Sequence, residues 1–504
     1  MDTELLQSVV ASNQWSALLP EIILGCSGVV LLFVDLLIPR ARGQLSGLSI
    51  LAHFAAALAL ILTMRNGASG EEPEVLFAGL IAQGVTGDWM RLFFLGCSVV
   101  VTHLAAVFLA RQKLAKVELY HLILIGTMAL MLLVQSHHFL FLFVALETLT
   151  IGFYILVAYK RDSRLSLEAG LKYLIMGAFS SGMLLFGVAL LYGAASNPVL
   201  PMTSGSPLNF AELGRFIAAS DEFYNNSGNL FVLFGAILVL TGIAFKIGVV
   251  PFQIWVPDVY QGAPTPVTAF LAVSSKAAGF YLLYLLLDGP FAALAPVTVP
   301  LLSLVAILTL LFGNLAALGQ RNVKRVMGMS GVAHAGILLM GLLASLRVDW
   351  AFAAVLFYLV TYAIASFGVF EVMAHVADGA DADQDLDHFD DLLKKDPYLG
   401  SVLLVSLGSL AGIPPLAGFI AKLLLFIAAF QAGLYWILGF ALAGVVISIY
   451  YYFGWMRASV MRNPFLAEES ARAITAPALG GRFMMALLAG GSILLGLYQG
   501  FFTF

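Results

Sequence analysis

Five ionisable side chains lie deep inside long apolar runs of this sequence: Glu147, Lys246, Lys276, His334 and Lys422. Glu147 is about the ninth residue of its run, Lys276 and His334 are each about the thirteenth of theirs, and Lys246 sits just past the middle of a long one. Lys422 follows a double-proline break by seven residues. A charge at the centre of a bilayer costs about 2.5–3.5 kcal/mol on insertion scales and more by simulation, so such groups face a bundle interior, pair with one another and mark ion or proton pathways. Burial disfavours the charged form of a lysine, and a nearby carboxylate restores it. A lysine–glutamate pair whose separation changes is therefore a valve for protons. A file of such lysines at similar depth, bridged by water and a histidine that titrates near neutrality, is a relay in the membrane plane.

Other candidates carry less chemistry. Lys172 lies one turn inside a helix end and follows Glu168 in the favourable i,i+4 order, so an ion pair and snorkelling compete with a relay role. Glu371 and His375 lie near a helix end and read as interfacial, and His53, His103 and His121 read as packing or interface residues. Cys26 and Cys97 form neither a CxxC pair nor a metal spacing and read as small buried hydrophobes. No phosphate-binding glycine motif appears in a strand-turn-helix context, and no long basic run exists. The expectation is no nucleotide site, no bound cofactor or metal, no catalytic residue of the hydrolytic or redox kind, and no nucleic-acid partner. Loop 377–397 holds seven aspartates from Asp378 to Asp391. Its DADQDLD stretch lacks the turn glycine and closing glutamate of an EF-hand, so it reads as a solvated acidic loop.

The elements that must position the buried charges follow from composition. Hydrophobic residues make up 61% of the 504 and charged residues 11%, with a mean hydropathy of +0.97. A soluble domain is about a quarter charged, so the solvent here is a lipid bilayer. Fourteen runs are long enough to span it, near 19–38, 46–64, 88–110, 117–135, 139–159, 167–193, 230–256, 264–287, 294–317, 322–344, 350–376, 398–431, 433–457 and 476–502. The fold class is an all-α polytopic membrane protein. The insert at 196–229 contains an amphipathic piece, NFAELGRFIAA, expected at the membrane interface. Alternate loops hold sixteen basic residues against four (Arg65, Arg91, Arg215, Arg347) on the other side. The positive-inside rule then puts both termini on the non-cytoplasmic side of the membrane. Asp2 and Glu4 replace the basic region of a signal peptide, so the first helix is expected to be retained.

Two of the longest runs carry breakers: Pro251 interrupts 230–256, and Gly412-Ile413-Pro414-Pro415 interrupts 398–431. Proline removes a backbone donor and clashes with the preceding turn. Paired interrupted helices point to repeats and an ion site. These are the seventh and twelfth helices, five apart, which predicts two five-helix repeats of opposite topology, helices 4–8 and 9–13. The resulting division is 1–115 for helices 1–3, 116–290 and 291–458 for the repeats, and 459–504 for the last helix.

These residues sit in characteristic segments: KIGVVPFQIWVPDVYQGAPTPVTAFLAVSSK (246–276), NVKRVMGMSGVAHAG (322–336) and SLAGIPPLAGFIAK (409–422). They closely resemble the N-type antiporter-like membrane subunits of bacterial respiratory complex I, the proton-pumping NADH:quinone oxidoreductase. LETLTIGFYILVAY (146–159) and EAGLKYLIMGAFSSGMLLFG (168–187) fit the same family, and the likeness runs from about 115 to 460. The resemblance implies roles. Glu147 matches the fifth-helix glutamate paired with the pumping lysine, Lys246. Lys276 matches the connecting lysine of the eighth helix, His334 stands where the tenth provides a bridging group, and Lys422 matches the twelfth-helix lysine, where M-type subunits have glutamate. It also implies that NADH, FMN, iron–sulfur clusters and quinone belong to other subunits, that the partners are other membrane-arm subunits, lipid and protons, and that protons enter from the cytoplasm. Three rival readings use the same residues or none of them: an Mrp-type cation/proton antiporter, a structural membrane anchor, and a related hydrogenase- or ferredoxin-linked complex.

Overall fold

The computed structural model describes residues 12–65, 73–111, 114, 117–196, 206–219, 228–377, 381–462 and 476–498. Asp2, Glu4, Lys113, Lys116, Asp378 and Arg472 lie outside these stretches. The helices are α1 Leu19–Leu37, α2 Leu45–Arg65, α3 Val85–Arg111, α4 Val117–Val134, α5 Phe139–Val157, α6 Arg164–Ala195, α7 Phe210–Ala219, α8 Gly228–Ile247, α9 Val256–Gly262 and α10 Thr265–Phe270. They continue with α11 Lys276–Asp288, α12 Ala295–Leu318, α13 Val323–Ser345, α14 Ala351–Val376, the single turn α15 Leu392–Lys395, α16 Pro397–Ala411, α17 Ala417–Gln431, α18 Tyr435–Val460 and α19 Leu479–Leu497. A two-stranded antiparallel hairpin, Glu74–Leu76 with Ile81–Gln83, joins α2 to α3. Among the described residues, thirteen helical stretches are long and apolar enough to cross a membrane, and α16 with α17 are two shorter apolar pieces where the fourteenth crossing was expected.

Leu, Ile, Val, Phe and Ala cover all sides of most of these helices, as they must when one face meets protein and the other meets lipid. Helix α13 lies at the centre: its whole apolar stretch is buried, whereas only a third of the corresponding stretch in α12 and α18 is fully buried. His334 is thus carried by the most enclosed helix of the molecule.

Both expected breaks are present, and they end alike. Helix α8 stops at Gly248 (φ 71°) and α16 at Gly412 (φ 86°), each in the left-handed conformation that glycine adopts without steric cost. Pro251 then keeps 248–255 extended or turned before α9, and Pro414-Pro415 separates α16 from α17. A third interruption has no proline behind it. One π-helical turn, Leu271–Ser275, separates α10 from α11 and delivers Lys276; such turns inside helices are frequent at functional sites.

Two sequence expectations change. The acidic loop is not simply solvated. Asp381 is buried, pairs with the buried Lys324 ammonium at 3.0 Å and accepts from Thr265 N–H (2.9 Å) and Thr265 Oγ1 (2.6 Å) at the start of α10. The loop therefore ties α13 to α10. The amphipathic helix α7 uses its apolar stripe, Phe210, Leu213 and Ile217, against protein: Phe210 packs edge-on to Phe139 with ring centres 4.8 Å apart.

A buried ion cluster pins α1, α3 and α4 together. Arg91 grips Glu21 with two bonds (2.9 and 2.7 Å) and reaches Asp88 (2.9 Å) and the Ala17 carbonyl (3.0 Å). Gln135 on the loop after α4 donates to Glu21 at 2.8 Å. Arg91 had counted only as a helix-end charge in the topology, because nothing in a sequence shows that Glu21, 70 positions away, faces it. Breaking a buried pair costs about 3–5 kcal/mol because the partner charge is left uncompensated. Arg91→Ala is expected to destabilise the detergent-solubilised assembly by that order, and Arg91→Lys to recover only part, since an ammonium cannot make the two-pronged contact. An unchanged thermal unfolding midpoint for Arg91→Ala would contradict this account.

Candidate functional site

Helix α8 delivers Lys246 in its last turn, where the helix dipole favours a cation. Its ammonium, buried, donates to Thr150 Oγ1 on α5, and that hydroxyl in turn donates to the Leu146 carbonyl at 2.6 Å. Glu147 lies one turn before Thr150 and accepts a hydrogen bond from Ser181 on α6. Among the described residues, no ion pair within 4.0 Å joins Glu147 to Lys246. The expected pair is therefore drawn apart, with a threonine hydroxyl at the lysine and a serine hydroxyl at the glutamate. Glu147 is also only half-buried, so the chain leaves one side of it uncovered.

Lys276 follows the π-helical turn and donates to the Gly331 carbonyl of α13 at 2.6 Å. Helices α8 and α11 meet beside the two lysines, where Gly279 lets Ile247 approach so closely that an added Cβ would lie 2.5 Å from its Cγ2. The Lys276 ammonium also lies 5.4 Å from the centre of the Tyr362 ring on α14, a cation–π distance. Tyr362 in turn packs on His334, with ring centres 5.0 Å apart. The His334 nitrogens reach Tyr358 Oη at 2.6 Å and Tyr452 Oη at 3.0 Å.

Between His334 and Lys422 lies a small cavity of about 10 Å³ lined by Tyr358, Thr361, Tyr362 and Ser409 as well as those two residues. That volume is about what one water occupies, and its lining supplies the polar partners a water needs. Lys422, on the second half of the broken helix, bends back to donate to the Leu410 (2.7 Å) and Ala411 (3.0 Å) carbonyls that end the first half. The last carbonyls of any helix lack intrahelical partners. The break thus creates acceptors, and Lys422 satisfies them.

Lys172 stands elsewhere. Its side chain is 42% exposed and pairs with Glu168 (2.7 Å) and with Asp258 on α9 (2.6 Å). Asp258 also takes Arg325 of α13 at 2.7 Å. The i,i+4 pair is present, extended into an ion chain that holds α9 against α6 and α13 just after the Pro251 break. Among the described residues, the ion pairs of Lys172 are with Glu168 and Asp258 and not with the buried lysines.

Several participants were invisible to sequence reasoning. Thr150 and Ser181 look like ordinary helix hydroxyls. Tyr358 and Tyr362 look like core aromatics, although their one-turn spacing on an apolar helix was a usable signal. Of the histidines, His53 and His121 bond the backbone carbonyls of Ser49 and Gly28, as packing residues do. Glu371, near its helix end, is fully buried within the protein, and neither carboxylate oxygen has a hydrogen-bond partner. At the opposite end from the basic loops, a half-open cavity of about 590 Å³ is lined in part by His137, Phe210, Tyr281, Tyr284 and Asp288. Burial holds the His137 imidazole below its ordinary range. Tyr281 lies five residues beyond Lys276, about 7.5 Å along the same helix.

Residues 136–448 match the family described as NADH:quinone oxidoreductase/Mrp antiporter, transmembrane. The chain is 51% identical over 504 residues to NADH-quinone oxidoreductase subunit N 1 of Opitutus terrae, covering 99% of this chain and 98% of that one. It is 36% identical to subunit N of Desulfitobacterium hafniense, covering 88% of each. Among solved structures it is similar to a chain of respiratory complex I from Thermus thermophilus (TM-score 0.76, 30% identity, 96% of this chain and 98% of that one). It shares its fold with a chain of an archaeal membrane-bound sulfane sulfur reductase (TM-score 0.77, 24% identity, 96% and 95%). With the family match spanning well over half its length and full-length relatives above 30% identity, the chain belongs to the NADH:quinone oxidoreductase/Mrp antiporter family of transmembrane proteins.

Proposed function

We propose that this chain is the N-type proton-translocating subunit in the membrane arm of an NADH:quinone oxidoreductase. The observation that carries the proposal is the series of cation–π, ring and cavity contacts that leads from Lys276 past Tyr362 and His334 to Lys422, beside the fully buried helix α13. Electron transfer from NADH to quinone, with the flavin and iron–sulfur clusters, takes place in other subunits. Partner subunits of the membrane arm transmit its energy to this chain. The chain lies in the bacterial inner membrane with both termini on the non-cytoplasmic side.

Each group then has a part. Glu147, half-open and held by one serine hydroxyl, is where a charge or movement in an adjoining subunit acts first. Its approach to Lys246 favours the ammonium, and its withdrawal favours release of the proton. Thr150 takes the lysine proton's hydrogen bond and can pass it on, because a hydroxyl both accepts and donates. Lys276, His334 and Lys422 form the onward line, with Tyr358, Tyr362 and Tyr452 orienting the imidazole. Pro251, Pro414 and Pro415 interrupt the helices so that Lys246 and Lys422 sit at backbone ends. Lys172 keeps the cytoplasmic side of the first break closed through Asp258. The half-open cavity below Tyr281 gives the line an aqueous outlet on the non-cytoplasmic side. The two breaks, ending alike at Gly248 and Gly412, support the two inverted repeats within 116–290 and 291–458.

In inverted membrane vesicles carrying the whole complex, Lys246→Ala is expected to cut NADH-driven proton pumping by about 10²-fold, the low end for losing a positioned acid–base group. Undiminished acidification would refute the proposal. Arginine in place of Lys422 keeps a cation able to bond Leu410 and Ala411 but never releases its proton. Lys422→Arg is therefore expected to assemble normally and pump poorly, whereas a purely structural anchor predicts normal pumping. Pumping is expected to be independent of sodium; sodium-dependent transport without NADH would select a cation/proton antiporter instead.

A further inference from the structure

The line just described leaves one buried carboxylate unused. Glu371, on α14, is 0% exposed, and neither of its oxygens has a hydrogen-bond partner. An isolated charge in hydrocarbon is expensive, and an ionisable group retained within a membrane helix marks a pathway by default. The nearest ionisable atom recorded for it is His103 Nε2 on α3, 3.8 Å from Glu371 Oε2 and likewise without a hydrogen bond. That distance is too long for a hydrogen bond and short enough for a small side-chain rotation or one bridging water to make one. His375 stands one turn beyond Glu371, its Nδ1 bonded to the Glu371 carbonyl at 2.9 Å.

The position of the cluster is informative. Glu371 is five residues, and His103 eight residues, from the ends of their helices at the side of the basic loops, about 8 and 12 Å along the axis. Arg111 closes that end, its guanidinium bonded to the Ala374 (2.6 Å) and Ala377 (3.2 Å) carbonyls. Glu371 is fully enclosed, but the His103 side chain is 20% exposed, so the pair runs from the outside of the bundle to its inside. The C-terminal helix α19 roofs it: a Cβ on Gly481 would meet His103 Nε2 at 3.4 Å. Inward, α14 also carries Ser366 and Tyr362, whose hydroxyls have at best each other. Tyr362 is the ring beside Lys276 and His334. Thr102, next to His103, adds another buried hydroxyl without a hydrogen bond.

We propose that Glu371, His103 and His375 form a second proton-binding site, at the basic-loop end of the bundle, which takes protons from outside through His103 and loads the Lys276–Lys422 line. A single proton is held between Glu371 and His103, as imidazolium with carboxylate or as imidazole with carboxylic acid. Transfer moves it from His103 Nε2 to Glu371 Oε2 and leaves no net charge behind in the pair. This inference rests on the proton-pumping role proposed above. The charged and titratable groups on the elements packed against α14 near the cluster are His103 and Arg111 of α3, Asp396 and Tyr398 at the start of α16, and Arg482 of α19. Lys276, His334 and Lys422 lie on its inner side.

The test uses the assembled complex in inverted vesicles and compares proton pumping per NADH oxidised across a pH series. Glu371→Gln is expected to pump less than the parent and to lose the parent's pH profile. Glu371→Asp, which keeps a carboxyl group, is expected to retain the profile at reduced rate. His103→Gln is expected to slow uptake without abolishing it. Difference infrared spectra between resting and turning-over complex are expected to show a carboxyl C=O band in the parent that Glu371→Gln lacks. Parent-like pumping, pH profile and carboxyl band in Glu371→Gln, with Lys246→Ala inactive, would overturn this inference and leave the pumping role standing. Parent-like pumping by Lys246→Ala would instead overturn the role itself.

Discussion

The structure depends on one constraint: within the bilayer, an ammonium group must find acceptors that the protein places for it. The carbonyls inside a continuous helix are already bonded to its own amides and have only a second lone pair to offer. The break in 397–431 frees the Leu410 and Ala411 carbonyls, and Lys422 bends back onto them. The π-helical turn before Lys276 plays a related part, shifting that side chain towards the Gly331 carbonyl of the central helix. At Lys246 the acceptor is a neighbouring threonine hydroxyl. All three lysines are held by neutral oxygens. None is locked to a carboxylate, which would fix its charge.

That pattern separates the groups proposed to transfer protons from the groups that tie helices together. Where the molecule needs permanence it pairs opposite charges closely: Arg91 with Glu21 and Asp88, Lys324 with Asp381, Lys172 and Arg325 with Asp258. Direct buried pairs hold each partner ionised and are costly to disrupt. The groups proposed to change protonation are left apart from opposite charges, and the lysines among them meet hydroxyl or carbonyl oxygens instead. The withheld contact between Glu147 and Lys246 belongs with the second group, and so does the 3.8 Å gap between His103 and Glu371. Lys172, by the same criterion, belongs with the scaffold.

The three tyrosines around His334 explain how a histidine is kept at the centre of an apolar bundle. Two hydroxyls bond its two ring nitrogens and the third ring packs on it, so the imidazole is oriented and supplied with both a donor and an acceptor. Its tautomer follows from the direction of those hydroxyl bonds, and reversing them moves the proton from one side of the ring to the other.

The spanning helices and their approximate positions were legible in the sequence because a bilayer imposes a length and a hydrophobicity on each crossing. The breaks at Pro251 and Pro414-Pro415 were legible because proline lacks an amide donor, and the burial of Lys246, Lys276, His334 and Lys422 because charge within an apolar run is expensive wherever the chain folds. Three things were settled only in three dimensions. Glu147 and Lys246, 99 positions apart, were placed near each other but not in contact; Glu371, near its helix end, was fully enclosed by protein; and Asp381 left solvent for a buried lysine. Composition and periodicity register the cost of burying a charge, which is local. They carry no record of which distant side chain offsets that cost, because that is fixed by how the helices pack.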